Sequence, residues 1–164
     1  MDGEALKKRV LIVCTGNSCR SQMAEGWVRH DLGATWEVAS AGTHPAWAVH
    51  PMSVRVMAEV GVDISAALPK HWGPFLEQSW DLVVTVCDSA RESCPVFPGA
   101  VEQIHVSFPD PILVEGTEEE RLAAYREVRD DIRARLIPES AWRARRPDAG
   151  YHLPDEGSER WPRS

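Results

Sequence analysis

The sequence predicts an α/β fold, a parallel sheet with helices packed on both faces. Arg9–Cys14 and Trp80–Val86 are nearly continuous apolar runs of strand length, the pattern of strands buried on both sides. Helix-period stripes lie between such runs, and strands that alternate with helices form parallel neighbours joined by crossovers. Thr117 followed by Glu120 has capping-box spacing and predicts a long final helix.

The first strand, Arg9–Cys14, ends in the polar loop Thr15-Gly16-Asn17. Ser21–Leu32 then places Met23, Ala24, Trp27 and Val28 on one helical stripe, and Gly33 is expected to stop the helix. Trp36–Ser40 reads as the second strand. His50-Pro51 opens another helix, with Val54, Met57 and Ala58 expected to face inward and Gly61 to end it. Residues 66–79 carry no clear pattern. Trp80–Val86 is the third strand and Gln103–Val106 a weaker fourth. The final helix is expected to bury Leu122, Tyr125, Val128, Ile132 and Leu136. Residues 1–137 therefore read as one domain. Residues 138–164 hold four of the twelve prolines and no periodicity, and are expected to be an extension, flexible or laid on the surface.

At 164 residues, with 43% hydrophobic and 26% charged residues, the chain has the size and composition of one globular domain. No apolar run approaches the roughly 20 residues of a membrane span, and the charged start has no signal-peptide core. A cytoplasmic location, no membrane contact and a monomer are the expectations. The net charge of −7 argues against a nucleic-acid partner, and an anionic substrate would have to be captured by local positive potential. Four cysteines in a reducing compartment read as metal ligands, catalytic thiols or inert core. The six histidines have no metal-site spacing, and no metal is expected.

Cys14-Thr15-Gly16-Asn17-Ser18-Cys19-Arg20-Ser21 lies between a buried strand and a helix. Such a loop points backbone N–H groups at one spot, and the helix dipole adds positive potential there, so residues 15–20 can cradle an oxyanion. A cysteine at the head of the loop feels the same field, which is expected to lower its pKa. Arg20, with its planar fork, suits bidentate capture of two anion oxygens. Gly16 permits a left-handed or crowded backbone, and Ser21 is placed to donate to the Cys14 sulfur. The plainer alternative makes Cys14 only the last buried residue of a strand.

Cys14 through Gly26 resembles the signature of the low-molecular-weight tyrosine phosphatase fold, and within it the thioredoxin-linked arsenate reductases. Ser40-Ala-Gly-Thr43, Val60–Ser65 and Asp81–Cys87 continue the resemblance, which covers roughly residues 8–137. It implies a four-stranded parallel sheet in the flavodoxin-like order 2-1-3-4, with the active site at the carboxyl end of the first strand. It also implies arsenate reduction. Cys14 would attack arsenate, Cys87 would attack Cys14 and release arsenite, and Cys94 would attack Cys87, leaving a bridge for thioredoxin to reduce. Phosphate or sulfate could occupy the same cradle, and glutaredoxin is the other conceivable reductant.

In a regular helix Cys87 and Cys94 would stand roughly 10 Å apart along the axis, against the ~7 Å between Cα atoms that a disulfide tolerates, so a bridge requires the segment to buckle. Two buried thiols or a zinc pair are the alternatives for these cysteines. Cys19 is expected to pack or tune the loop. Asp110, in Phe108-Pro-Asp-Pro111, matches the family's general acid; a turn-forming aspartate is the alternative. Asn17, Glu25 and Ser40 match positions that surround a potassium ion in some members, where Lys70 stands near the completing acidic residue. The Lys70 ammonium would then supply the charge and potassium would not be needed; a solvated lysine is the alternative. No bound organic cofactor is expected.

Two rival functions are a protein tyrosine phosphatase and a non-catalytic phospho-group or redox sensor. Ile112-Leu-Val114 after Asp-Pro is poor material for an aromatic slot, and a sensor has no use for Asp110.

Overall fold

The computed structural model describes residues 7–137, residues 91–93 in backbone only; the expected extension, 138–164, lies outside the described residues. Strand β1 (Lys8–Cys14) leads to α1 (Arg20–Leu32), β2 (Trp36–Gly42) and α2 (Pro51–Glu59). Then come β3 (Leu82–Thr85), α3 (Asp88–Ser93), β4 (Gln103–His105) and α4 (Glu118–Leu136). Short 3-10 turns occupy Gly73–Phe75 and Pro111–Leu113.

The four strands form one parallel sheet in the order β2-β1-β3-β4, as the resemblance implied. Val10, Leu11, Ile12 and Val13 of the central strand are wholly buried, which is why this run carries no polar alternation. The register pairs Cys14 with Gly42, Val13 with Thr85, and Thr85 with His105. The carboxyl ends of all four strands therefore meet along one edge, where ligands bind in open α/β sheets.

On α1 the stripe Met23, Ala24, Trp27, Val28 is buried as expected. Trp27 donates its indole N–H to the Arg129 carbonyl at 2.9 Å and carries the Arg133 guanidinium over its ring at 4.3 Å. The capping box of α4 is present, and Leu122, Tyr125, Val128, Ile132 and Leu136 all face inward. No helix among the described residues is long and apolar enough to cross a membrane.

Two local expectations need correction. On α2 the buried residues are Ser53, Val56 and Met57, while Val54 is half-buried and Ala58 exposed. Apolar residues stand on several faces of this helix, so the sequence left its phase open. Gly33 ends α1 in the right-handed region (φ −63°), without a left-handed cap. Glycine serves there by close approach, since a Cβ would sit 2.4 Å from the Arg29 carbonyl oxygen.

An ion-pair network joins α2 to α4. Arg126 and Arg129 both bind Glu59, and their hydrogen bonds hold its carboxyl well below the ordinary 4.5, at about 2. A depressed carboxylate stabilises the fold above its unfolded pKa and loses that contribution as pH falls through the folded value. The window is thus pH 4.5 down to about 2. The Glu59 side chain is 35% exposed, so solvent screening limits the effect to about 1 kcal/mol or less. Urea denaturation of Glu59→Gln should show a small loss at pH 7 that salt diminishes, and a flatter acid limb than the wild type.

Candidate active site

The loop from Cys14 to Arg20 joins the carboxyl end of β1 to the start of α1. Cys19 precedes the helix without capping it by its side chain, and the first turn holds no acidic residue. The Cys19 side chain therefore does not compete for the first N–H groups of α1, which point towards the loop and the Cys14 sulfur. The chain between β2 and α2 runs beside this loop. The N–H groups of Thr43, His44, Ala46 and His50 donate to the carbonyls of Cys14, Thr15, Gly16 and Ser18. With those carbonyls drawn to one side, the loop is free to present N–H groups to the other.

Asn17 takes the left-handed conformation in this loop (φ +52°), so the role expected of Gly16 falls to the asparagine. Asparagine tolerates that region better than most residues. Its side chain is wholly buried. The amide nitrogen donates to Ser21 Oγ at 2.7 Å and to Ser40 Oγ at 3.0 Å. The amide oxygen accepts from Gln22 Nε2 at 3.2 Å and from the Lys70 backbone N–H at 2.9 Å. Ser40 passes its own proton on to Glu25, whose other oxygen pairs with Arg29.

The direction of these bonds fixes what Ser21 does. Its oxygen accepts from Asn17, so its single proton is free for Cys14 Sγ, 2.8 Å away. The Asn17 backbone N–H also reaches that sulfur, at 3.2 Å. Cys14 is 2% exposed, and burial pushes its thiol up; the Ser21 hydroxyl opposes this, and the neighbouring Cys87 adds to it. The expectation of a lowered pKa is therefore corrected, because loss of solvation outweighs the donors around the sulfur.

Arg20 turns towards the loop after β4. Nη1 donates to the Phe108 carbonyl at 3.1 Å and Nη2 meets Asp110 Oδ2 at 3.2 Å. Its Nε is buried with no hydrogen-bond partner among the described residues, a donor suited to an oxyanion. Asp110 also caps the following turn, accepting from the Ile112 N–H at 3.1 Å. Its carboxylate combines the turn-forming role with a place beside the clamp.

Cys87 ends the β3 segment, and its Sγ lies 3.2 Å from Thr15 Oγ1, which ties it to the cradle. Helix α3 separates Cys87 from Cys94, and all four cysteines are free thiols. Burial, with Cys87 nearby, pushes the Cys94 thiol up to about 12. Cys19 turns the other way, to 3.7 Å from the Tyr125 hydroxyl on α4. The Lys70 ammonium donates to the Leu68 carbonyl at 3.0 Å, so this residue enters the Asn17 network through its backbone, and the cation on Glu25 is Arg29.

Gln22, the 43–50 connection and Gly42 escaped the sequence reading. A Cβ on Gly42 would lie 2.5 Å from the Thr15 carbonyl oxygen and 3.1 Å from the Asn17 nitrogen. A polar residue at the third position of a helix was the one available signal for Gln22. Contacts made by backbone groups carry no residue-type signal.

A nucleophile-headed anion loop with an arginine clamp and an aspartate on the opposite loop defines a phosphatase-like oxyanion site. The family model for low molecular weight phosphotyrosine protein phosphatase matches residues 9–138, and the chain belongs to this family. Within it the chain is similar to arsenate reductases. That of Halalkalibacterium halodurans is 48% identical over 130 residues, 79% of this chain and 93% of the relative. That of Bacillus subtilis (strain 168) is 46% identical over 129 residues, 79% and 92% of the two chains. Among solved structures, an arsenate reductase in the phosphate binding state superposes with a TM-score of 0.62 at 31% identity, over 83% of this chain and 98% of its own. A low molecular weight protein tyrosine phosphatase from T. tengcongensis gives 0.66 at 27%, over 84% and 99%. The thioredoxin-dependent arsenate reductase of Corynebacterium glutamicum gives 0.60 at 29%, over 85% and 64%.

Removing the Ser21 hydroxyl takes away the strongest contact opposing the rise in Cys14. Ser21→Ala should move the pH profile of Cys14 alkylation to higher pH and slow the reaction at pH 7. Mass-spectrometric labelling across pH checks this.

Proposed function

We propose that this chain reduces arsenate to arsenite through a relay of Cys14, Cys87 and Cys94, recycled by thioredoxin. The observation that carries the reading is the contact of Thr15, in the anion loop, with Cys87: a second thiol adjoins the cradle that holds the nucleophile. The dianionic substrate docks on the loop N–H groups and on Arg20, and brings a base to the buried Cys14 thiol. Competition for the guanidinium loosens Asp110 from Arg20, and the aspartic acid then protonates the departing oxygen as the Cys14–arsenic bond forms.

Cys87 thiolate next attacks Cys14 sulfur. The sulfur–arsenic electron pair stays with arsenic, which leaves as arsenite, and a Cys14–Cys87 disulfide remains. Cys94 attacks Cys87, Cys14 leaves as thiolate, and the Cys87–Cys94 bridge accepts two electrons from an external dithiol. A thiol pushed up to about 12 is a poor nucleophile while buried, so Cys94 acts only once α3 opens. Thioredoxin is the donor named for the Corynebacterium glutamicum neighbour, and the same class of donor suits a bridge that forms at the surface.

Arsenate-dependent NADPH oxidation with thioredoxin and thioredoxin reductase tests the scheme. The wild type should turn over and Cys94→Ser should fall by at least ~100-fold, since the first disulfide is then not resolved. Turnover that persists in Cys94→Ser overturns the relay. Absence of wild-type turnover together with hydrolysis of aryl phosphates favours a phosphatase instead.

The cofactor reading follows from the same network. With Arg29 supplying the cation on Glu25, potassium is not required. Exchange of sodium for potassium at constant ionic strength should leave kcat/KM unchanged, and strong activation would sink this reading.

A further inference from the structure

His105 sits at the carboxyl end of β4 with its side chain only 4% exposed. Its Nδ1 lies 2.7 Å from Thr85 Oγ1, on the partner residue of β3. Its Nε2 lies 2.8 Å from Asp88 Oδ1. Asp88 is the first residue of α3, directly follows Cys87, and has a side chain 75% exposed. A ring rooted in the sheet thus grips the residue at which α3 departs from Cys87.

We propose that His105 is a positioning residue for the cysteine relay: through Asp88 it holds α3 in its helical dithiol form and so makes the Cys87–Cys94 disulfide easier to reduce. The inference rests on the relay reading above. Six helical residues keep the two thiols roughly 10 Å apart along the axis, whereas bridged cysteines have Cα atoms within ~7 Å. Bridge formation therefore buckles α3, and Asp88, adjacent to the bridged sulfur, turns with it. With the Thr85 hydroxyl donating to Nδ1, the ring proton is on Nε2 and faces the Asp88 carboxylate. When Asp88 turns away, the buried N–H loses its acceptor, a cost borne by the disulfide form alone. A contact made in one state and lost in the other shifts the equilibrium towards the first. The dithiol form gains, and the disulfide becomes the better electron acceptor.

The test is the thiol–disulfide equilibrium of this pair in the full-length chain carrying Cys14→Ser and Cys19→Ser, so that Cys87 has only its relay partner. Oxidised dithiothreitol takes up two electrons and two protons as Cys87 and Cys94 form their bridge, and reduced dithiothreitol returns them. Peptide mapping identifies the bridge. Asp88→Ala and His105→Leu should each favour the disulfide by about fivefold, the size of one ordinary hydrogen bond. The double variant should shift no further than either single one, because both remove the same contact.

Unchanged equilibria, or shifts that add, would overturn the proposal. Additive shifts would mean that Asp88 acts on the α3 dipole independently of His105. Should His105→Leu fail to fold, Asp88→Ala, changed at an exposed side chain, decides by its own shift. Failure of the unsubstituted pair to form the Cys87–Cys94 bridge in any buffer would instead overturn the relay reading, and this inference with it.

Discussion

The side-chain amide of Asn17 is buried with both donors and both acceptor lone pairs engaged, and the site is arranged around that condition. Its partners come from the start of α1, from β2 and from the segment near residue 70, so one group ties three stretches of chain to the anion loop. A buried amide left half-satisfied costs more than a satisfied one contributes, and the four bonds stand or fall together. The left-handed backbone at Asn17 puts the side chain there, and also aims the residue's own N–H at Cys14 Sγ. Through Ser21 the same amide sets the direction of the hydroxyl that faces the nucleophile. Rigidity of the cradle and polarisation of the sulfur have one origin.

The sheet supplies the second constraint. Cys14 and Gly42 are register partners at the ends of β1 and β2, and the chain beyond Gly42 follows the loop closely enough to bond its carbonyls. That closeness is possible because residue 42 lacks a Cβ, which would collide with the Thr15 carbonyl. An oxyanion loop needs N–H groups pointing in and carbonyls pointing out, and here the neighbouring strand's continuation holds the carbonyls out. The strand order thereby reaches the chemistry, since β2 must lie directly beside β1.

Much of this was legible from residue types. Apolar runs located β1 and β3, the capping box located α4, and Cys14, Ser21 and Arg20 were readable because each side chain has a chemical reason to stand where it does. Other parts were not. The phase of α2 was open because Val54, Val56, Met57 and Ala58 offer competing apolar stripes, and packing against α4 chose among them. The left-handed residue was assigned to Gly16 on conformational freedom, whereas hydrogen bonding made Asn17 the better occupant. Lys70 was read through its charge, but its backbone N–H is what meets Asn17. His105 had no visible role, because its partners Thr85 and Asp88 are distant in sequence and converge only once β3 and β4 pair. Side-chain chemistry is written in the sequence; contacts made by the backbone or across the sheet await the fold.

The raised thiols point to a common logic. Cys14 and Cys94 are both pushed up by burial, and neither is a ready nucleophile in the resting protein. The low-dielectric surroundings that discourage the free thiolate also strengthen every interaction between an anion and the loop's N–H groups, so in the proposed relay Cys14 would be activated only when substrate fills the cradle. In the same proposal Cys94 would be activated by a different event, the opening of α3. A thiol exposed and ionised at all times would react with any oxidant, whereas the proposed scheme makes these two reactive in order, each only after the preceding step. The order of the proposed relay would therefore reside in the burial of the sulfurs as much as in their spacing along the chain.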